Sequence, residues 1–94
     1  MPDVVSELLI TDIAAEKLGA REISEGEVGQ LPSNRHVTGP NPRGGEERRL
    51  CVGLTDGGRA LTLVVEQTLD PTTWQVVTGW TATRRERRML ESGS

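Results

Sequence analysis

Arg84, Arg85, Arg87 and Arg88 place four guanidinium groups within five positions near the end of the chain. A guanidinium is planar, permanently charged and forked, so it matches phosphate oxygens, either to bind a nucleic acid or to stabilise charge developing during its cleavage. Chemistry at a phosphodiester also requires assisted proton transfer. His36, the single histidine, is the candidate for that step because its ordinary pKa lies close to neutrality. It reads more readily as an incidental loop residue, since no partner for it is visible. Trp80, just before the arginines, offers an indole that either seals the edge of a small core or stacks on a base. Arg84, Arg85, Arg87 and Arg88, with Trp80 beside them and His36, are thus the candidate site residues. A run of this kind is also what an ordinary solvated helix face looks like.

Other chemistries find little support. Asp56 and Glu86 are accounted for by a turn and a helix cap. Cys51, the only cysteine, sits between Leu50 and Val52 and reads as a small packing residue of a strand. His36 and Cys51 have no spaced companions of metal-ligand type, so no metal and no cofactor is expected. Gly57-Gly58 lacks the lysine and the strand–loop–helix setting of a phosphate-binding loop. No serine stands in a nucleophile-elbow pattern.

The arginines depend on the elements that carry them. Thr83 and Glu86 have the spacing of a capping box, in which the threonine oxygen takes a first-turn backbone donor and the glutamate reaches back. The spacing predicts a helix beginning at Arg84. At about 100° per residue, Arg84, Arg87 and Arg88 share one arc, while Met89 and Leu90 lie on the other side with the preceding Ala82. Ser24 and Glu27 repeat the box and predict a short helix through Val28 and Leu31, stopped by Pro32. Asp12 reads as the N-cap of an earlier helix over Ile13–Leu18, and Val4–Ile10 is ambiguous between a strand and a helix start. Residues 32–47 are rich in turn formers and read as a flexible loop, with a short edge strand over Arg35–Thr38 as an option. Arg49–Leu54, Arg59–Glu66 and Thr73–Trp80 read as strands, the first two joined by the hairpin dipeptide Asp56-Gly57. The expected fold is therefore α+β: two short N-terminal helices, a three- to four-stranded antiparallel meander and a C-terminal helix, with residues 92–94 as a frayed tail.

The totals bound the possibilities. With 94 residues and a net charge of -3, the chain reads as a single domain and not as a protein that coats nucleic acid with its whole surface. Charge is segregated: residues 1–31 hold seven acids and two bases, a net of -5, whereas residues 32–94 hold nine bases and seven acids, a net of +2. Phe and Tyr are absent and Trp74 and Trp80 are the only aromatics, so the core must be aliphatic and broad stacking platforms are missing. With no apolar stretch of membrane-spanning length, no secretion signal and one cysteine, a soluble, cytoplasmic protein without a membrane partner is expected.

Three blocks of text resemble the BrnT-like toxins of the RelE-type ribonuclease toxin superfamily. Asp12–Glu27, with Lys17 inside it and Ile23-Ser24 opening a second helix, resembles the family's first helical pair. Glu46-Glu47-Arg48-Arg49-Leu50, Val52-Gly53 and Thr55-Asp56-Gly57-Gly58-Arg59 resemble its first long hairpin. Val76-Val77-Thr78-Gly79-Trp80-Thr81-Ala82-Thr83-Arg84-Arg85-Glu86-Arg87 is similar to the passage from its last central strand into the terminal helix, and the likeness spans about Leu8–Leu90. The resemblance implies a RelE-like fold and the toxin of a type II toxin–antitoxin pair: a metal-independent endoribonuclease acting on RNA, neutralised by a small cognate antitoxin, with a homodimer as a compatible state. Arg84 and Arg85 match the family's Arg-Arg-Glu, so the resemblance implies them as catalytic groups, with His36 as the candidate for proton transfer and Arg87, Arg88 and Trp80 as candidate RNA- or phosphate-binding groups. One position departs: the family's last strand commonly ends Ile-Ser-Ala-Arg, and here Val77-Thr78-Gly79-Trp80 puts an indole where a phosphate-contacting arginine is expected. A catalytically diverged, non-enzymatic partner-binding module on the same scaffold is the alternative.

Overall fold

The computed structural model describes residues 4–41 and 47–92. In chain order the elements are β1 (Glu7–Ile10), α1 (Asp12–Gly19), α2 (Glu25–Gln30), a 3₁₀ turn (Leu31–Ser33), β2 (His36–Pro40), β3 (Arg48–Leu54), β4 (Ala60–Gln67), β5 (Thr73–Thr81) and α3 (Arg84–Ser92). The strands form one five-stranded mixed sheet in the order β1-β5-β4-β3-β2, with β1 parallel to β5 and every other neighbour antiparallel. Among the described residues, no helix is long and apolar enough to cross a membrane.

Alternation along the strands sends successive side chains to opposite faces, and here both faces are covered. On one face Cys51, Leu61, Leu63, Val65, Val76 and Trp74 pack against Ala14 and Leu18 of α1, Val28 of α2 and Leu31. On the other, Val52 packs with Ala82 and Leu90, joined by Val37, Leu54, Ala60 and Met89. The sheet thus lies between the two early helices and α3. Where a helix presses closely, glycine supplies the room: a Cβ on Gly79 would stand 2.6 Å from Cδ2 of Leu63 and 3.1 Å from that of Leu18.

Several expectations change. The chain does not open on two helices, because Glu7–Ile10 forms a strand first, and the sheet is mixed because that strand runs parallel to β5. A parallel partner so distant in sequence has no turn signal to announce it. Residues 32–47 are not one loop: Pro32 sits in the first turn of the 3₁₀ segment, where its missing N–H costs nothing, and His36–Pro40 pairs with β3. The central part of that stretch, 42–46, and the tail residues 93 and 94 lie outside the described residues; Ser92 closes α3. The N-cap of α1 is Thr11, whose hydroxyl accepts the Ala14 N–H at 3.1 Å, and Asp12 is the first helical residue. In the β3–β4 hairpin the left-handed residue is Gly58 (φ 86°), not Asp56 or Gly57. Thr55 and Arg59 close a three-residue loop, with Gly58 N–H donating to the Thr55 carbonyl at 2.9 Å.

Candidate nucleic-acid interface

α3 starts where its capping box requires. The Thr83 N–H donates to Oε1 of Glu86 at 2.8 Å, and the Glu86 N–H donates to the Thr83 hydroxyl at 3.2 Å. Upstream, the Ala82 N–H donates to the Ala60 carbonyl at 3.0 Å, carrying the β4–β5 ladder to the foot of the helix. Leu90 and Met89 dock the far end. Arg84, Arg85, Arg87 and Arg88 are all exposed, and among the described residues none of the four guanidinium groups has a hydrogen-bond or ion-pair partner. Arg84, Arg87 and Arg88 share the outer arc, with Arg85 beside it, so the helix presents four free cations.

Trp80 is half-buried and already engaged. Its register partner is Thr62, which places it on the α3 side of the sheet. The indole N–H donates to the Glu86 carboxylate, at 3.0 Å from one oxygen and 3.2 Å from the other. Burial works against the charged form of Glu86, yet donors from the Thr83 backbone and the Trp80 indole hold its carboxyl below the usual range. The Thr62 hydroxyl adds to this effect, although it is fully buried and makes no hydrogen bond of ordinary geometry. Glu86 is therefore a fixed carboxylate serving the helix cap and the tryptophan.

Behind Trp80 stands Arg21, whose position after α1 gave no sign of involvement. Since β1 pairs β5 only over Thr73–Val76, the later part of that edge has no strand partner among the described residues, and Arg21 Nη1 donates to the Gly79 carbonyl at 2.7 Å. Its guanidinium carbon lies 6.0 Å from the Trp80 ring centroid, at the limit of a cation–π contact. Arg59 ties the same end of β5 to α2: Nη1 donates to the Glu22 carbonyl at 2.8 Å and to the Glu27 carboxylate at 3.2 Å, and Nη2 donates to the Thr81 hydroxyl at 3.0 Å. The Ser24 backbone N–H, together with Arg59, holds the Glu27 carboxyl below its ordinary range.

His36 does not join the arginines. It pairs with Gly53, and a Cβ on Gly53 would lie 3.0 Å from that of His36 and 2.8 Å from Cγ of Leu31. That is the α1/α2 face, opposite α3. Its Nδ1 lies 2.9 Å from the Asn34 carbonyl, an acceptor only, so Nδ1 carries the hydrogen. Cys51 is buried, and burial pushes its thiol up to about 12. Among the described residues, no group of three or more His, Cys, Asp and Glu side chains converges where a metal ion could be held.

No protein-family model matches the chain, and no curated protein matches it. The surface itself combines a helix capped at its start, four guanidinium groups unpaired among the described residues, and a carboxylate committed to holding the helix in place.

Proposed function

We propose that this protein acts on RNA as the toxin-like component of a toxin–antitoxin pair, with the outer face of α3 taking the phosphates. The observation that carries this is the set of four exposed, unpartnered guanidinium groups on a helix whose start is fixed by the Thr83–Glu86 box. Neutralising phosphates of single-stranded RNA releases counterions, so the logarithm of affinity falls with that of salt by about 0.7 per phosphate contact. Four contacts give a slope of about -3. Replacing Arg84 and Arg85 together by Ala lowers it by about 1.4 and weakens binding of every RNA sequence alike. Fluorescence anisotropy with labelled RNA across a salt series measures both; an unchanged slope and affinity in the double variant refutes the assignment. Growth arrest on expression, relieved by co-expression of a small partner encoded beside it, tests the toxin role.

A second reading, that of a non-cleaving module which binds RNA or a partner protein, is favoured by one specific arrangement. His36 faces away from α3, and Glu86 is occupied by Thr83 and Trp80, so among the described residues the arginine face has no histidine beside it and only the exposed Glu91 as a free acid. Denaturing gels on RNA incubated with wild type and with Trp80→Arg separate the two. An arginine at position 80 would meet the Glu86 carboxylate and add a cation where the resembled family carries one. Cleavage by the wild type supports an active nuclease; cleavage only by the variant supports lost catalysis.

A further inference from the structure

Between α3 and the β3–β4 hairpin lies a cleft of about 210 Å³. Leu54, Ala60 and Leu90 form its half-buried to buried apolar floor, the exposed Arg35 and Arg87 line it from different elements, and Glu91 is the one acid there. Arg35 precedes β2 and is positioned by α3 itself, since its Nη2 donates to the Glu91 backbone carbonyl at 3.1 Å. That bond occupies one of the five N–H donors of the guanidinium and leaves the others for a ligand. Arg87 has no side-chain partner among the described residues and belongs to the same outer arc as Arg84 and Arg88. The cleft is therefore continuous with the arginine face.

Its chemistry is selective. Two guanidinium charges and one carboxylate leave a single positive charge, which suits a phosphodiester better than a triphosphate. The apolar floor suits the flat, uncharged body of a nucleobase, and unstacked bases are also held against arginine planes. We propose that this cleft is the subsite for one nucleotide of single-stranded RNA, a splayed base lying over Leu54, Ala60 and Leu90 while Arg35 and Arg87 take the adjoining phosphodiester. This rests on the assignment of α3 as the RNA-binding face. It names the substrate as single-stranded, because a base held in a duplex cannot reach the floor.

The probe is a dinucleoside monophosphate, which carries one phosphodiester, followed by amide NMR and compared with inorganic phosphate, a nucleoside triphosphate and an acetylated Leu-Asp dipeptide. Saturable shifts at Leu54, Ala60 and Glu91 are expected, with affinity at least fivefold above that for phosphate or the triphosphate. Arg35→Ala should weaken binding at least fivefold, and Arg35→Lys, which keeps the charge but not the fork, should recover only part of the loss. Arg88→Ala, outside the cleft, should leave the dinucleoside unaffected while weakening a decamer RNA. Equal shifts with inorganic phosphate would reduce the cleft to a general anion site and overturn the proposal, as would tighter binding of the dipeptide, which would point to a protein partner. A decamer that binds through Arg84 and Arg88 but is indifferent to Arg35→Ala overturns the subsite and leaves the α3 face standing. No decamer binding by the wild type overturns both.

Discussion

Removing the Glu86 carboxylate tests whether α3 is held as described. In Glu86→Ala the Thr83 N–H loses its 2.8 Å acceptor, and the half-buried Trp80 indole loses a carboxylate that receives it at 3.0 and 3.2 Å. Losing the cap interaction costs about 1 kcal/mol, and leaving a partly buried donor without its charged acceptor costs about 1–2 kcal/mol. The sum is roughly 2–3 kcal/mol. For a domain of this size each kcal/mol corresponds to about 4–8 °C in Tm, so thermal unfolding should shift down by roughly 10–20 °C. Trp80→Phe keeps most of the ring volume and removes only the indole donor; a double-mutant cycle with Glu86→Ala should yield a coupling of about 1 kcal/mol. The pH dependence has a definite sign. Because the folded carboxyl lies below its ordinary value of 4.5, its stabilisation is complete above that value and is lost as pH falls through the lowered folded pKa. The stability gap between wild type and Glu86→Gln should therefore be flat from pH 7 to about 5 and close on further acidification. A loss under about 0.5 kcal/mol with zero coupling would refute the Glu86–Trp80 clamp.

Gly79→Ala introduces a Cβ 2.6 Å from Leu63 Cδ2 and 3.0 Å from the Thr62 carbonyl, so urea unfolding should show a loss of about 1–3 kcal/mol; an unchanged midpoint would contradict the tight α1–β5 approach. Cys51, buried and with its thiol pushed up to about 12, should react with iodoacetamide at pH 8 only as fast as the protein opens, and rapid labelling in native buffer would contradict its burial. Glu22 holds a left-handed backbone (φ 58°) at the α1–α2 joint. Glu22→Gly should be neutral to about 1 kcal/mol stabilising, and a clear loss in Tm would show that its side chain matters.

What was legible in the chain was local. Both capping boxes form with the donors and acceptors their spacing implies, Ser24 with Glu27 and Thr83 with Glu86, because a cap is decided within four residues. The Asp56-Gly57 dipeptide marked the hairpin, but its conformation is set by Gly58, since the Thr55–Arg59 closure adds a residue to the loop. What was missed was long-range. β1 is only four residues long and gains its identity from Thr73–Val76 far along the chain, so nothing near it distinguishes a strand from a helix start. His36 reads as free to reach the arginines until the β2–β3 register pairs it with Gly53 and commits it to the other face. Arg35 and Arg21 carried no motif at all. Arg35 matters through a helix carbonyl 56 positions away, and Arg21 through a strand carbonyl 58 positions away. Trp80, read either as a core seal or as a stacking surface, is a donor to the cap of α3.

The arrangement of charge on α3 runs against the helix's own stability. Arg84 and Arg85 occupy the first turn, where the helix dipole disfavours cations, and Arg84–Arg87, Arg84–Arg88 and Arg85–Arg88 are like-charge neighbours three or four positions apart, each costing about 0.2–0.5 kcal/mol. Together these amount to about 1–3 kcal/mol in the free protein, of which Glu91, four positions from Arg87 and three from Arg88, offsets less than about 1 kcal/mol. The chain does not lack acids, with 14 Asp and Glu against 11 Lys and Arg, yet the helix's own Glu86 turns to Trp80 instead of pairing outward. Repulsion of this kind is what a polyanion relieves on binding. It follows that Arg88→Gln, which removes two of the three like-charge neighbours against one attraction, to Glu91 three positions on, should move two quantities in opposite directions. Stability of the free protein should rise by about 0.5 kcal/mol, while RNA affinity at low salt falls and the salt slope drops by about 0.7. Urea titration and anisotropy on the same samples measure both. If stability and affinity fall together, the arginine has a structural role, and the outer face of α3 is not a surface held open for phosphate.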